Sequence, residues 1–393
     1  MQPTLRSVLT GFDSFVASAH RTARRKLGRG GCVRIVPYRS WVAPDKAVVL
    51  GRAVQADPPF EARLERSSRL ARVAYERFAT LEARSVPVRV SWRDRVATST
   101  SDGAGFVDVT FPLPGPGPSE TTLAELVAAE RDDARPVQSE VIAFRAEPPL
   151  GVISDIDDTV LETELTNPWK RALQLIYSEQ RMRLPFDGIA ALYRAFAHGN
   201  NPIFYVSNAP WNLYVHVREL LDHHDIPKGP LLLRDSGFVE RLVADAAEPR
   251  ALVHKQRALR RIVEDFPNLP FVLLGDSSRR DPLRYVEVAE RYPGRVACIY
   301  IRRVRGVLVS REPLEALRRR AQRAGVELLI ADDTVTIAKH AESRGFVGRA
   351  DVSLVREGKR EDEAAPPTEL GSVATAPPTE PSEPTAPPPG AGP

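Results

Sequence analysis

Three carboxylates crowd into four consecutive positions, at Asp155, Asp157 and Asp158, and a hydroxyl follows at Thr159. A short apolar run, Val152-Ile153, leads into them, so the acids fall at the end of an expected buried strand. Like charges this close favour neither strand nor helix, and a cation makes them tolerable. Mg²⁺ suits the task, because it takes carboxylate oxygens and keeps waters for a phosphate substrate. The plainer reading is a polar loop in which Asp157 or Thr159 caps the helix that follows.

Three further sites shift the balance toward chemistry. Ser207 and Asn208 follow the apolar run Ile203 to Val206; Lys255 opens an expected helix, His254 to Asp265; Asp276 follows Phe271 to Leu274 and Gly275, with Asp281 five residues on. Phosphoryl transfer needs such a set. One carboxylate serves as nucleophile, and a second, two residues away, protonates the leaving oxygen and then deprotonates water. A hydroxyl and a lysine hold phosphoryl oxygens, and further acids hold the metal. Each piece alone has a bland alternative. Ser207 can be a cap, Lys255 a solvated charge, Asp276 a turn residue, and Asp281-Pro282 a helix start. The order acid pair, hydroxyl, lysine, acid pair is what carries the argument.

The elements that must position these residues alternate strand and helix from Pro148 onward, which implies a parallel sheet. Expected strands are Val152 to Ile156, Ile203 to Val206, Leu231 to Leu233, Phe271 to Leu274, Val296 to Ile301 and Val326 to Ile330. Helices are expected at Leu213 to His223, His254 to Asp265 and Leu314 to Arg323. In open sheets of this kind, chemistry sits at the carboxyl ends of the strands.

Before Pro148 the pattern is different. Residues 1–31 hold an amphipathic helix (Leu5, Val8, Leu9, Phe12, Phe15, Val16) ending in arginines and glycines; it docks on its own domain or lies on a membrane. Residues 32–147 form a β-rich, sandwich-like domain. Strands are expected at Cys32 to Tyr38, Ala47 to Val54, Val88 to Trp92, Phe106 to Phe111 and Val137 to Phe144, with a helical insertion at Phe60 to Glu82 and a turn at Ser101-Asp102-Gly103. No acid, His or Cys cluster falls there. Residues 357–393, rich in Pro, Ala, Thr and Glu, read as a disordered tail.

Composition narrows the classes. The 393-residue chain carries a net charge of +4, too weakly basic to argue for nucleic acid and compatible with an anionic membrane surface. No apolar window reaches membrane-spanning length, and no signal peptide is apparent. Cys32 and Cys298 have no metal-type spacing and suit two reduced thiols in a cytoplasmic protein.

The motif order resembles the haloacid dehalogenase superfamily of phosphatases: a DxDxT motif at Asp155, Asp157 and Thr159, then Ser207, Lys255 and the pair Asp276 and Asp281. The strings SDIDDTVLET, FYVSNAPWNLY, GPLLLRD and FVLLGDSSRRDPLRY are similar to the actin-patch-type phosphatidate phosphatase family, over roughly Leu150 to Arg303. The N-terminal half is more loosely similar to the β-rich domain of bacterial members. The resemblance implies an α/β, three-layer, haloacid dehalogenase-like Rossmannoid domain at residues 148–356. It implies Mg²⁺-dependent removal of phosphate from phosphatidate to give diacylglycerol through an aspartyl phosphate, at most with peripheral contact to an anionic membrane. Asp155 is then the nucleophile and Asp157 the general acid and base. Thr159, Ser207, Asn208 and Lys255 serve the phosphate, and Asp155, Asp157, Asp276 and Asp281 hold the metal.

Two features qualify the likeness. Ser278, Arg279 and Arg280 stand where the family shows Gly-Gln and a residue such as His, which bears on the head group accepted. Residues 163–186 occupy the place of the superfamily's cap, with Trp169, Leu173, Ile176 and Tyr177 on one helical face. Rival readings are a phosphatase of a soluble phosphometabolite or phosphoprotein, and a non-catalytic module that docks a membrane or partner. Because every named ligand follows Pro148, the second half alone is expected to retain metal binding.

Overall fold

The computed structural model describes residues 32–56, 81–129, 134–156, 187–198, 200–234, 248–277, 281–303 and 311–364. The expected helix of residues 1–31, most of the helical insertion at Phe60 to Glu82, the whole 163–186 insertion, Asp157 to Thr159 and Ser278 to Arg280 lie outside them.

Nine strands form the first sheet: β1 (Cys32–Pro37), β2 (Ser40–Val42), β3 (Lys46–Ala56), β4 (Leu81–Glu82), β5 (Pro87–Trp92), β6 (Arg95–Thr100), β7 (Phe106–Pro112), β8 (Thr122–Ala128) and β9 (Val137–Ile142). The main path runs β1-β3-β2-β9-β8-β5-β6, with β4 and β7 also paired to β3. Alternation decides the inner face. Val88, Val90 and Trp92 of β5, Val107, Val109 and Phe111 of β7, Ala47 and Val49 of β3, and Ala124 and Leu126 of β8 share one core. The sheet therefore closes over its own interior. The expected turn forms as read: Asp102 Oδ1 accepts from the amides of Ala104 and Phe106, each at 2.8 Å. Gly105 ends it at φ +79°, where a Cβ would meet the Ala53 carbonyl oxygen at 2.5 Å.

Strand β3 is unusual because both of its faces are buried. Val48, Leu50 and Val54 point away from the first core and join Tyr38 and Trp41 in a second one. That second core belongs mainly to the α/β domain, so the two domains share it. Polar contacts run along the same seam. Trp41 Nε1 donates to Asp265 Oδ2 at 3.1 Å, and Lys46 Nζ lies 2.7 Å from Asp265 Oδ1. Arg39 Nη2 reaches both Asp222 oxygens at 2.7 and 2.8 Å. A fragment starting at Pro148 would uncover this apolar surface, although every named ligand follows Pro148.

The second sheet is wholly parallel. Its strands are β10 (Gly151–Asp155), β11 (Ile203–Pro210), β12 (Leu231–Arg234), β13 (Phe271–Asp276), β14 (Val296–Arg302) and β15 (Leu328–Ala331), in the order β12-β11-β10-β13-β14-β15. Its helices are α1 (Ile189–Phe196), α2 (Tyr214–His223), α3 (Glu248–Asp265), α4 (Asp281–Arg291), α5 (Arg311–Arg323), α6 (Thr334–Ser343) and α7 (Arg349–Ala364). They cover both faces, as adjacent residues of β11 show. Phe204 packs 5.4 Å from Phe266, directly after α3, while Tyr205 packs 6.0 Å from Tyr193 of α1 on the opposite side. Burial on both faces explains why these strands read as unbroken apolar runs.

Several sequence readings need correction. The end of the expected helical insertion, Leu81–Glu82, is strand β4, antiparallel to β3. Strand β8, TLAELVA, is rich in helix formers and was not expected; it is a strand because every second residue, Ala124, Leu126 and Ala128, enters a core. Helix α3 spans Glu248–Asp265, so Lys255 sits inside it and not at its start. Helices α6 and α7 extend the domain past residue 356. In α7, Val352 and Val355 are buried, Lys359 Nζ pairs with Asp333 Oδ2 at 2.7 Å, and Asp362 Oδ2 accepts the Gly188 amide at 2.7 Å. The expected tail therefore cannot begin at 357.

Candidate active site

Strand order reverses between the parallel neighbours β10 and β13: the chain fills one half of the sheet from β10 to β12 and the other from β13 to β15. In parallel sheets this switch point opens a crevice at the carboxyl ends of the strands. Asp155 ends β10 and Asp276 ends β13 beside it. Asp281 begins α4, with Pro282 next, the N-terminal arrangement that the sequence suggested. Gly275 makes the approach possible, since a Cβ there would stand 2.8 Å from Tyr285 Cε2 and 3.2 Å from Asp281 Cβ. Tyr285 uses its hydroxyl to tie α4 to β13, donating to the Leu274 carbonyl at 2.8 Å.

Asp155, Asp276 and Asp281 are fully buried, and one oxygen from each lies within 4.8 Å of the others. Lys255, 1% exposed, enters this cluster from α3. Its Nζ is 2.8 Å from Asp155 Oδ1 and 2.7 Å from Asp281 Oδ1. Arg284, one helical turn after Asp281, adds a second cation with Nη1 at 3.3 Å from the same Asp281 oxygen. Burial alone would push the Asp281 carboxyl up. Lys255 first of all, then the hydrogen bonds around it and Arg284, hold it below the usual carboxylate range.

The cluster fits a hard divalent cation. All its donors are carboxylate oxygens, and Asp281 Oδ2 is buried with no hydrogen-bond partner among the described residues. Mg²⁺ there would be held by Asp155, Asp276 and Asp281.

Strand β11, next to β10, brings Ser207 and Asn208 to the same edge. Asp155 pairs in register with Val206, so Ser207 lies one residue beyond the level of Asp155. Both Ser207 and Asn208 are buried. The Ser207 hydroxyl oxygen accepts the Ala209 amide at 2.9 Å, a local turn that orients the hydroxyl. Asp157 and Thr159 lie outside the described residues. Of the named site residues, Asp155, Lys255, Asp276 and Asp281 thus form one charged cluster, and Ser207 with Asn208 stands on the adjoining strand end.

Sequence reasoning missed several groups here. Arg284 shows only as a basic residue three positions after Asp281, a helical spacing that could have revealed it. Beneath Asp155, the Ser154 and Tyr193 hydroxyls meet at 2.5 Å, and Ser154 Oγ also donates to the Asp155 carbonyl at 2.9 Å. Arg234 and Arg302 are buried at the carboxyl ends of β12 and β14. His254, beside Lys255, touches the Leu232 carbonyl at 3.4 Å, and burial pulls its imidazole down to about 4.

Residues 150–303 match the model of a family described as phosphatidate phosphatase APP1, catalytic domain. The chain is 28% identical over 156 residues to phosphatidate phosphatase APP1 of Saccharomyces cerevisiae, which takes in 39% of this chain and 26% of the yeast protein. It is 26% identical over 157 residues to an uncharacterized protein of Schizosaccharomyces pombe, covering 39% of this chain and 25% of that one. The match thus spans about a quarter of the length of these curated relatives. Among solved structures, a carbohydrate acetylesterase from Xanthomonas citri aligns over 75% of this chain and 68% of its own, with 9% identity and a TM-score of 0.28. That superposition is too loose to bear on the fold. In its motifs and over residues 150–303, the chain is similar to the catalytic domain of the APP1-type phosphatidate phosphatase family.

Proposed function

We propose that this chain removes phosphate from phosphatidate, giving diacylglycerol, in a Mg²⁺-dependent reaction through an aspartyl phosphate. The observation that carries the reading is the meeting of Asp155, Lys255, Asp276 and Asp281 in one buried cluster at the switch point of a parallel sheet. The haloacid dehalogenase-like assignment of that sheet belongs to the same proposal.

In the first step an Asp155 oxygen attacks phosphorus, and the bond from phosphorus to the glycerol oxygen breaks. The Asp157 carboxyl gives its proton to that oxygen. In the second step Asp157, now a carboxylate, takes a proton from water as the water oxygen attacks phosphorus and the Asp155–phosphorus bond breaks. Ser207 and Asn208 hydrogen-bond the phosphoryl oxygens, with Thr159 supporting the loop after Asp155. Lys255 is 2.8 Å from Asp155 Oδ1, so its charge follows the negative charge from carboxylate to phosphoryl group. Bound Mg²⁺ supplies charge that offsets repulsion between the nucleophile and its anionic substrate.

Phosphatidate stays in a bilayer, so the protein must work at a membrane surface. Among the described residues no helix is long and apolar enough to cross a membrane. We place the protein in the cytoplasm with peripheral contact to anionic lipid, and the 163–186 insertion is the segment proposed to make it. The test is phosphate release with Mg²⁺ from phosphatidate vesicles and from soluble phosphoesters, by wild-type protein and Asp155→Asn. Release from vesicles that disappears in Asp155→Asn is expected. Turnover of soluble esters alone would move the assignment to a soluble phosphoester, and normal turnover by Asp155→Asn would refute the mechanism.

A further inference from the structure

The N-terminal domain grips the chain where the phosphate-binding turn ends. The register of β11 against β12 shifts between Val206 and Pro210, and within that irregularity the Ala209 amide donates to Ser207 Oγ. With this amide on one lone pair, the Ser207 hydroxyl proton is turned away from Ala209. Pro210 follows, its φ fixed by its ring, and then Trp211, which is buried. The Trp211 indole N–H has no hydrogen-bond partner among the described residues. What meets its ring is Arg52 of β3. The guanidinium carbon lies 3.8 Å from the Trp211 centroid and 4.1 Å from that of Phe106 in β7. Arg52 is itself fully buried, and a guanidinium between two rings away from water is the strong form of this contact. Three residues on, Tyr214 stacks on Tyr38 at 4.1 Å, and its hydroxyl accepts the Arg39 amide at 2.5 Å. Both ends of the Trp211–Tyr214 turn are thus anchored on the first domain.

We propose that Arg52 is a positioning residue for phosphate binding. By clamping Trp211 against Phe106, it fixes the turn at Ser207 to Ala209 and with it the direction of the Ser207 hydroxyl. This rests on the phosphatase reading above. A clamp acting through that turn changes affinity for the phosphoryl group more than the rate of bond breaking at Asp155.

The test uses the full chain with Mg²⁺, para-nitrophenyl phosphate as substrate and inorganic phosphate as inhibitor. Arg52→Met keeps the length of the side chain and removes its charge. KM and the phosphate Ki should each rise about tenfold, with kcat changed less than about threefold. Arg52→Lys should restore part of the affinity, because an ammonium also binds ring faces. Arg39→Met breaks the ion pair to Asp222 across the same interface and the one to Glu140 of β9, 3.0 Å from Arg39 Nε; it should lower Tm and leave Ki unchanged. Phe106→Leu removes the other wall of the clamp and takes the place of Arg52→Met if that variant does not fold. An unchanged phosphate Ki in folded Arg52→Met or Phe106→Leu overturns the proposal, as does an equal shift in Arg39→Met. Absence of ester turnover in the wild-type protein would instead overturn the phosphatase reading.

Discussion

Lys255→Met isolates the charge balance of the cluster, because methionine keeps most of the buried stem and removes only the ammonium. In the wild-type protein that ammonium lies within 2.8 Å of oxygens on two fully buried carboxylates. Without it, Asp155 and Asp281 face each other across no more than 4.8 Å. At that distance and an effective dielectric near 20, two unit charges repel by about 3.5 kcal/mol. Loss of one partner from a buried pair costs a comparable ~3–5 kcal/mol. Chelator-treated Lys255→Met should therefore lose about 3–5 kcal/mol of unfolding free energy at pH 7.5, measured by urea titration with circular dichroism. The same repulsion, about 2.5 pH units' worth, raises one folded-state carboxyl above its unfolded value. The variant then regains stability as pH falls through that raised value, so its deficit should shrink between about pH 7 and pH 5. Millimolar Mg²⁺ should also shrink the deficit, since a cation among the three acids replaces the lost charge. A variant within about 1 kcal/mol of wild type at pH 7.5 without Mg²⁺ would refute the reasoning.

The remaining predictions concern the parts around the site. Burial lowers the folded-state His254 imidazole to about 4, while the unfolded chain takes its proton near the ordinary value of about 6.5. Its contribution is full above that value and is lost as pH falls toward 4, on the order of 3 kcal/mol in all. His254→Leu should flatten this slope in urea midpoints taken across that window, and an unaltered slope would count against it. A chain ending at Ala364 keeps every described contact of α7 and should match the wild-type Tm. One ending at Arg356 loses the Lys359 and Asp362 contacts and should be less stable by about 1–2 kcal/mol; equal Tm values for the two would show that the end of α7 contributes nothing.

Much of the α/β domain was legible because its strands are covered on both faces. Runs such as Ile203 to Val206 and Phe271 to Leu274 stay apolar without a break, and the acids stand out at their ends. Burial on both faces also hid something. In β3 the run Ala47 to Leu50 looks like any core strand, yet Ala47 and Val49 serve one core while Val48 and Leu50 serve another. Composition gives no sign of such a division. Helix α7 was unreadable for the opposite reason, since only Val352 and Val355 are buried in a segment otherwise full of charge. The nearness of Asp155, Lys255 and Asp281 followed only from motif order. That Lys255 bridges two carboxylates depends on chain segments a hundred residues apart, which no local pattern reports.

The two-faced strand also shapes how the protein is made. During synthesis β3 and Trp41 leave the ribosome early, and the first core can close as soon as β9 follows. The other face must wait for Phe204 and for Asp265, which takes the Trp41 indole hydrogen bond from 224 residues further along. At about 5–20 residues per second, that wait lasts roughly 10 to 45 seconds. Until Asp265 emerges, Tyr38, Trp41, Val48 and Leu50 lack the partners from the second half that share their core in the folded chain. Slowing elongation between the two halves should therefore lower the yield of soluble protein, and a holding chaperone supplied during synthesis should restore it.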